Sequence, residues 1–228
     1  RGCRPPVMRI TASSLLGIGL LLYGVVVVVA RIAGLPALLD AGREGGSRQT
    51  QLNGALCFAL VGAALAAEAF LRNGRLRIVR AGFAGAVAVL AGLILLQHVL
   101  QLDLGIDLPQ FHGSVADDAA NPGRVSLPTA VAFLLGAFVL MRMGRGQGIR
   151  GGLAVQGATI AIFLNGLIGF GGQAIHLRLM YPESTFAPMA RFTAIALMVV
   201  SVALWLAWKR MDWYQARRLT SSEEQQIV

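Results

Sequence analysis

Charge is what this 228-residue sequence is short of: only 14% of its residues are Asp, Glu, Lys or Arg, where soluble domains carry about 25%. A chain with so little polar surface cannot cover itself in water, which excludes an ordinary soluble enzyme. Acids are the scarcer sign, 11 against 20 basic residues, and Glu68 is the only acid inside an apolar stretch. No paired carboxylates for general acid–base work, no nucleophile beside a base and no phosphate loop can be drawn from such a set. Two cysteines, Cys3 and Cys57, do not make a disulfide scaffold, and Cys57 reads as a small apolar packing residue. The glycine-rich string Gly144-Arg145-Gly146-Gln147-Gly148 follows no strand, so it is not a dinucleotide site.

What the sequence has in quantity is apolar length. Hydrophobic residues make up 56% of it and its mean hydropathy is +0.66. Runs approaching the roughly 20 residues that a membrane crossing needs recur along it: Thr11 to Ile32, Gly54 to Leu71, Ala81 to Leu100, Ser126 to Met141, Gly152 to Gly171 and Ala187 to Trp208. The fourth is short. These runs predict an all-α polytopic membrane helical bundle of about six transmembrane helices over residues 1–210, with a polar tail over 211–228. The uninterrupted length of the first run through Val29 and its want of a convincing small-residue cleavage site favour a retained helix over a cleaved signal peptide. Met8 offers an alternative start that would leave residues 1–7 as an extension.

A net charge of +9 would suggest nucleic acid if the basic residues formed one patch. They do not. Arg1, Arg4 and Arg9, then Arg72, Arg75, Arg77 and Arg80, then Arg142, Arg145 and Arg150, then Lys209, Arg210, Arg217 and Arg218 all fall on one side of a six-span chain. Arg31, Arg43, Arg48, Arg124, Arg178 and Arg191 fall on the other, offset by Asp40, Glu44, Asp103, Asp107, Asp117, Asp118 and Glu183. The positive-inside rule then puts both termini in the cytoplasm of a bacterial inner membrane. The partners expected are the bilayer, with anionic lipid at the Arg clusters, and a second copy of the chain or membrane-complex subunits. Nucleic acid is not among them.

The even-numbered spans open with related strings: Asn53-Gly54-Ala55-Leu56-Cys57-Phe58, Pro128-Thr129-Ala130-Val131-Ala132-Phe133 and Phe192-Thr193-Ala194-Ile195-Ala196-Leu197. Each follows an outer loop and an odd-numbered span, so the repeating unit is a helical hairpin, present three times. Small residues let helices approach closely in lipid, and Gly17, Gly19, Gly82, Gly85, Gly166, Gly169, Gly171 and Gly172 are expected to pack helix against helix.

The longest outer loop, Gln101 to Val125, opens with alternating apolar and acidic residues that suit a short amphipathic segment over the helix ends. Its string Leu102-Asp103-Leu104-Gly105-Ile106-Asp107, the later Pro122-Gly123-Arg124 running into Leu127-Pro128-Thr129-Ala130-Val131-Ala132-Phe133, and Phe186-Ala187-Pro188-Met189-Ala190-Arg191-Phe192-Thr193-Ala194 resemble the multi-pass membrane input regions of bacterial histidine kinases and diguanylate cyclases. The resemblance covers about Gln51 to Trp208. It implies a sensory region that passes ligand or membrane state to a cytoplasmic partner through its last helix, and the tail near Trp213 sits where a signalling helix would begin. The first hairpin departs from the pattern at Asn53-Gly54. The sequence contains no kinase or cyclase module, so the expectation is a protein with no catalysis of its own. The rival is an accessory structural subunit of a respiratory or photosynthetic membrane complex.

Three histidines, His98, His112 and His176, gather on the outer side. Their simplest use is hydrogen bonding at the membrane interface. Imidazole is also the commonest metal ligand, and Asp103 and Asp107 are near enough in sequence to add oxygen, so a transition metal at His98, His112 and His176 is one alternative. Haem between His98 and His176 is another. With one His per helix, a transmembrane electron wire is not supported. Glu68 stands four residues before Arg72, a favourable spacing for a structural ion pair on a helix. Gln97, Gln156 and Asn165 are expected to hydrogen-bond between helices. Trp205, Trp208, Trp213 and Tyr214 read as an interfacial belt at the inner end of the last span.

Overall fold

The structure, a computed structural model, describes residues 10–35, 50–71, 73–108, 123–143, 149–174 and 189–210. They form six helices: α1 (Ala12–Ile32), α2 (Leu52–Ala66), α3 (Asn73–Leu100), α4 (Leu127–Arg142), α5 (Ile149–Ala174) and α6 (Arg191–Lys209). A 3₁₀ turn, Ala67–Ala69, extends α2. No strand occurs among the described residues. Five helices are long and apolar enough to cross a membrane, and α4, at 16 residues, is the short one. The all-helical membrane bundle expected from hydropathy is therefore observed.

Local chemistry sets several helix ends. Thr11 caps α1: its Oγ accepts from the Ser14 N–H at 3.1 Å, while Ser14 Oγ accepts from the Thr11 N–H at 2.9 Å. That reciprocal pair satisfies two of the donors that a helix start leaves open. Pro128 sits in the first turn of α4, where its missing N–H costs nothing. In contrast to the span expected from Ala81, α3 starts at Asn73, so Arg75, Arg77 and Arg80 are helical and not part of a connecting loop. Arg is a good helix former, and hydropathy marks where lipid ends, not where the helix does.

The three hairpins, α1–α2, α3–α4 and α5–α6, are arranged as a ring. Each pair packs closely, neighbouring pairs meet through α2–α3, α4–α5 and α6–α1, and α2, α4 and α6 also touch one another. The even helices are thus the inner ones. Their burial agrees: 67% of the α2 span and 56% of the α6 span is buried, against 33%, 28% and 28% for α1, α3 and α5.

The sequence repeat marks that inner triad. Ala55, Ala130 and Ala194, which hold the same repeat position, are all fully buried, as are Phe58, Phe133 and Leu197 three residues on and Leu65, Leu140 and Leu204 two turns further. Phe58 and Phe133 meet edge to face with ring centroids 4.9 Å apart. Alanine at the first position lets a partner helix come close. A Cβ at Gly24 would lie 2.5 Å from the Ala55 carbonyl oxygen, and one at Gly166 would lie 2.7 Å from that of Ala194. Hairpins α1–α2 and α5–α6 therefore use the same glycine-on-alanine contact.

Of the glycines expected between helices, Gly17, Gly166 and Gly169 are there, joined by Gly24 and Gly62. Gly19, Gly82, Gly85, Gly171 and Gly172 have open space where a Cβ would stand, because they lie on outward faces of the odd helices. Trp208 also departs from expectation: it is buried in the core, whereas Trp205 beside it is half-buried, with the Lys209 Nζ 5.0 Å from its ring centre. Trp213, Tyr214 and the rest of the tail over 211–228 lie outside the described residues.

Candidate functional site

Antiparallel packing brings the starts of α2, α4 and α6 and the ends of α1, α3 and α5 to one end of the bundle, here called the loop end. The other is the basic end, where Arg75, Arg77, Arg80, Arg142, Arg150, Lys209 and Arg210 lie. Among the described residues, most of the buried polar side chains lie at the loop end. There they join the hairpins to one another.

Each seam has its own bond. Between the first and second hairpins, Asn53 Nδ2 donates to the Ile106 carbonyl at 2.9 Å. Between the second and third, Asn165 Nδ2 donates to the Pro128 carbonyl at 2.6 Å. Between the third and first, Thr193 and Thr50 share a hydroxyl bond of 3.0 Å, which Tyr23 extends with a 2.7 Å bond to Thr50. The buried Arg31 secures the same point, its Nη2 donating to the Thr50 carbonyl at 3.1 Å. Side-chain amides and hydroxyls at these places suit an apolar medium, where a polar group gains most by meeting another.

Residues 101–108 cover the end of α3. Gln101 and Leu108, at either side, both hold positive φ, 52° and 44°, a conformation that side chains with a Cβ rarely adopt. Within the segment, Asp103 accepts from the Gly105 N–H at 2.8 Å and is exposed. Asp107 is buried. Its Oδ2 accepts from Gln97 Nε2 at 3.1 Å and from Arg124 Nε at 3.2 Å, and Arg124 also donates to the Leu102 carbonyl at 3.1 Å. One carboxylate thereby fastens the loop to α3 and to the approach of α4. In the short amphipathic segment expected here the described residues form turns, with Asp107 buried and Leu102, Asp103 and Leu104 exposed.

Of the predicted site residues, the structure brings Asp107 to Gln97, the sequence neighbour of His98. His98 itself is half-buried, and its Nδ1 bonds the Ile94 carbonyl of its own helix at 3.0 Å. Among the described residues no three His, Cys, Asp or Glu side chains come together as a metal site. His112 and His176 lie outside the described residues, and so do the metal and haem arrangements that need them. Arg124, Asn53, Thr50 and Thr193 were not singled out as site residues from sequence, although Arg124 and Thr193 lie within the strings that carry the family resemblance.

The basic end holds one polar cluster. Glu68, in the 3₁₀ turn after α2, pairs with Arg80 of α3 and accepts from Ser13 Oγ of α1 at 2.7 Å. Both carboxylate oxygens are thus occupied, and three helices are tied. The pair expected with Arg72 falls on a residue outside the described set. The positions equivalent to Glu68 in the other repeats are Met143 and Ala207, so the acid is particular to the first hairpin, and its pair with Arg80 ties that hairpin to the second.

No protein-family model, curated protein or solved structure matches the chain.

Proposed function

We propose that this chain is a membrane-embedded input region of a bacterial cytoplasmic membrane, with both termini in the cytoplasm, that conveys ligand or membrane state at its loop end to a cytoplasmic partner through α6. It has no catalysis of its own. The observation that carries this reading is the placement of α6. At the loop end Thr193 is bonded to Thr50 of the first hairpin, and the same helix runs through the core to the buried Trp208 at the basic end. A helix of 19 residues reaches about 28 Å at 1.5 Å per residue, so a displacement at its start is delivered at its end. Signalling requires two packings of close energy, and the bonds that join the hairpins at the loop end are where a ligand would choose between them.

Two features support the assignment. The basic residues collect at the end where α6 leaves the bundle, as the positive-inside rule requires of a cytoplasmic face. The strings that resemble kinase and cyclase input regions occupy the loop-end segment and the starts of α4 and α6, the places where the hairpins are joined. Fusion of a dimerising cyclase module after Val228 tests the reading: its output changes with Thr193→Val and with Asp107→Asn, and output indifferent to both, in bundles that remain folded, defeats it.

A second reading, an accessory subunit of a respiratory or photosynthetic complex, is favoured by the outward face of α3. Gly82, Gly85 and Gly92 there meet nothing within 4 Å, and small residues admit a partner helix. Purification as a stable homodimer supports the input region; unvarying association with one set of membrane subunits supports the rival.

A further inference from the structure

We propose that Gln97 and Asp107 hold one small, singly charged cation, an alkali-metal ion or ammonium, where α3 ends beneath residues 101–108. Both side chains are almost wholly buried, Gln97 at 0% and Asp107 at 6% exposure, yet Gln97 Oε1 and Asp107 Oδ1 have no hydrogen-bond partner. Gln97 Nε2 and Arg124 Nε both donate to the same carboxylate oxygen, Oδ2, which leaves its twin bare. Buried acceptors of this kind are rare because each forgoes its hydration without replacement. What they lack is a donor or a cation.

The surroundings narrow the choice. The end of α3 is the negative pole of a 28-residue helix, and its last carbonyls face this end. The carbonyls of Leu102 and Ile106 each accept one bond, from Arg124 and Asn53, and each keeps a second lone pair. The two unpartnered acceptors, Gln97 Oε1 and Asp107 Oδ1, are both oxygen, the donor type that hard cations select over transition metals. Arg124 meets Asp107 at Oδ2 and balances its charge, so among cations a divalent one would leave two charges uncompensated in a buried place and a singly charged one only one. The strained backbone at Gln101 and Leu108 fits a segment shaped around an occupant. This inference stands on the geometry whether or not α6 signals.

The test uses the full chain in detergent micelles. Its thermal unfolding midpoint is measured at constant ionic strength while N-methyl-D-glucamine chloride is replaced by sodium, potassium or ammonium chloride, with calcium chloride as comparison. A saturable rise with at least one of the three monovalent salts is expected. The apparent affinity should fall roughly tenfold or more in Gln97→Met and Asp107→Asn, the effect of losing one charge-assisted contact. Equal midpoints in all salts, a salt effect of unchanged affinity in Gln97→Met, or a response to calcium alone would overturn the proposal. Gln97→Met leaves the Asp107–Arg124 contact in place and decides the matter if Asp107→Asn does not fold. If neither variant folds, equilibrium dialysis of the unaltered protein with radioactive sodium, rubidium and ammonium analogues decides: about one ion per chain is expected, and none overturns it.

Discussion

Thr50 and Thr193 stand 143 positions apart in the chain and share a hydrogen bond of 3.0 Å. This bond closes the ring of hairpins at the loop end, since Thr193 lies in the first turn of α6 and Thr50 stands two residues before α2. Thr193→Val keeps the shape and removes the donor and acceptor. A loss of about 0.6–2 kcal/mol is expected, the range of interhelical hydrogen bonds in membranes, with Thr193→Ser retaining most of the stability. Unfolding in mixed detergent and SDS micelles measures both.

The Glu68–Arg80 pair makes a sharper prediction because Arg80 is buried and Glu68 is only 11% exposed. Glu68→Ala leaves the Arg80 guanidinium without its counter-charge and should cost about 3–5 kcal/mol. Glu68→Met with Arg80→Met, which copies the apolar residue found at the equivalent Met143, should recover most of that loss. A double mutant as unstable as the single one would show that shape, not charge, is what the site requires.

Glycine faces separate inner contacts from lipid contacts. A Cβ at Gly62 would overlap the backbone of Leu21 and Gly17, and one at Gly24 would lie 2.6 Å from the Ala59 nitrogen. Gly62→Ala and Gly24→Ala should each cost about 1–3 kcal/mol as overpacking. Gly82→Ala and Gly85→Ala, which meet nothing within 4 Å, should be neutral or slightly stabilising, because alanine is the better helix former. The same unfolding assay ranks all four.

These contrasts show what could be read in the sequence. Hydropathy identified the helices, and the Ala55, Ala130 and Ala194 repeat pointed to three equivalent helices before their inner position was known. A glycine, however, does not say which neighbour faces it: Gly17 and Gly19 look alike in sequence, yet only Gly17 touches α2. At Glu68 the expected partner, Arg72, lies outside the described residues, and the partner the structure shows is Arg80 on the next helix, which helical spacing along α2 could not announce. At the loop end the acid was legible as important, but Asp107 was paired in expectation with histidine ligands. Its partners, Gln97 and Arg124, meet it only after the loop folds back, and no local period announces that.

Topology follows from the same charge asymmetry. A reporter inserted at residues 117–123 should be exported, and one after Arg210 should remain in the cytoplasm. Export of the latter would reverse the orientation and place the Asp107 end inside the cell.

In the proposed function α6 carries a change at the loop end to the basic end. Spin labels at Ile78 and Arg210, both exposed at the basic end, report the position of the end of α6 relative to α3. Pulsed dipolar spectroscopy of the doubly labelled protein in nanodiscs should give a distance distribution that shifts when Thr193→Val breaks the contact with Thr50. A distribution identical in the two proteins, with the Thr193→Val bundle still folded, would contradict the account.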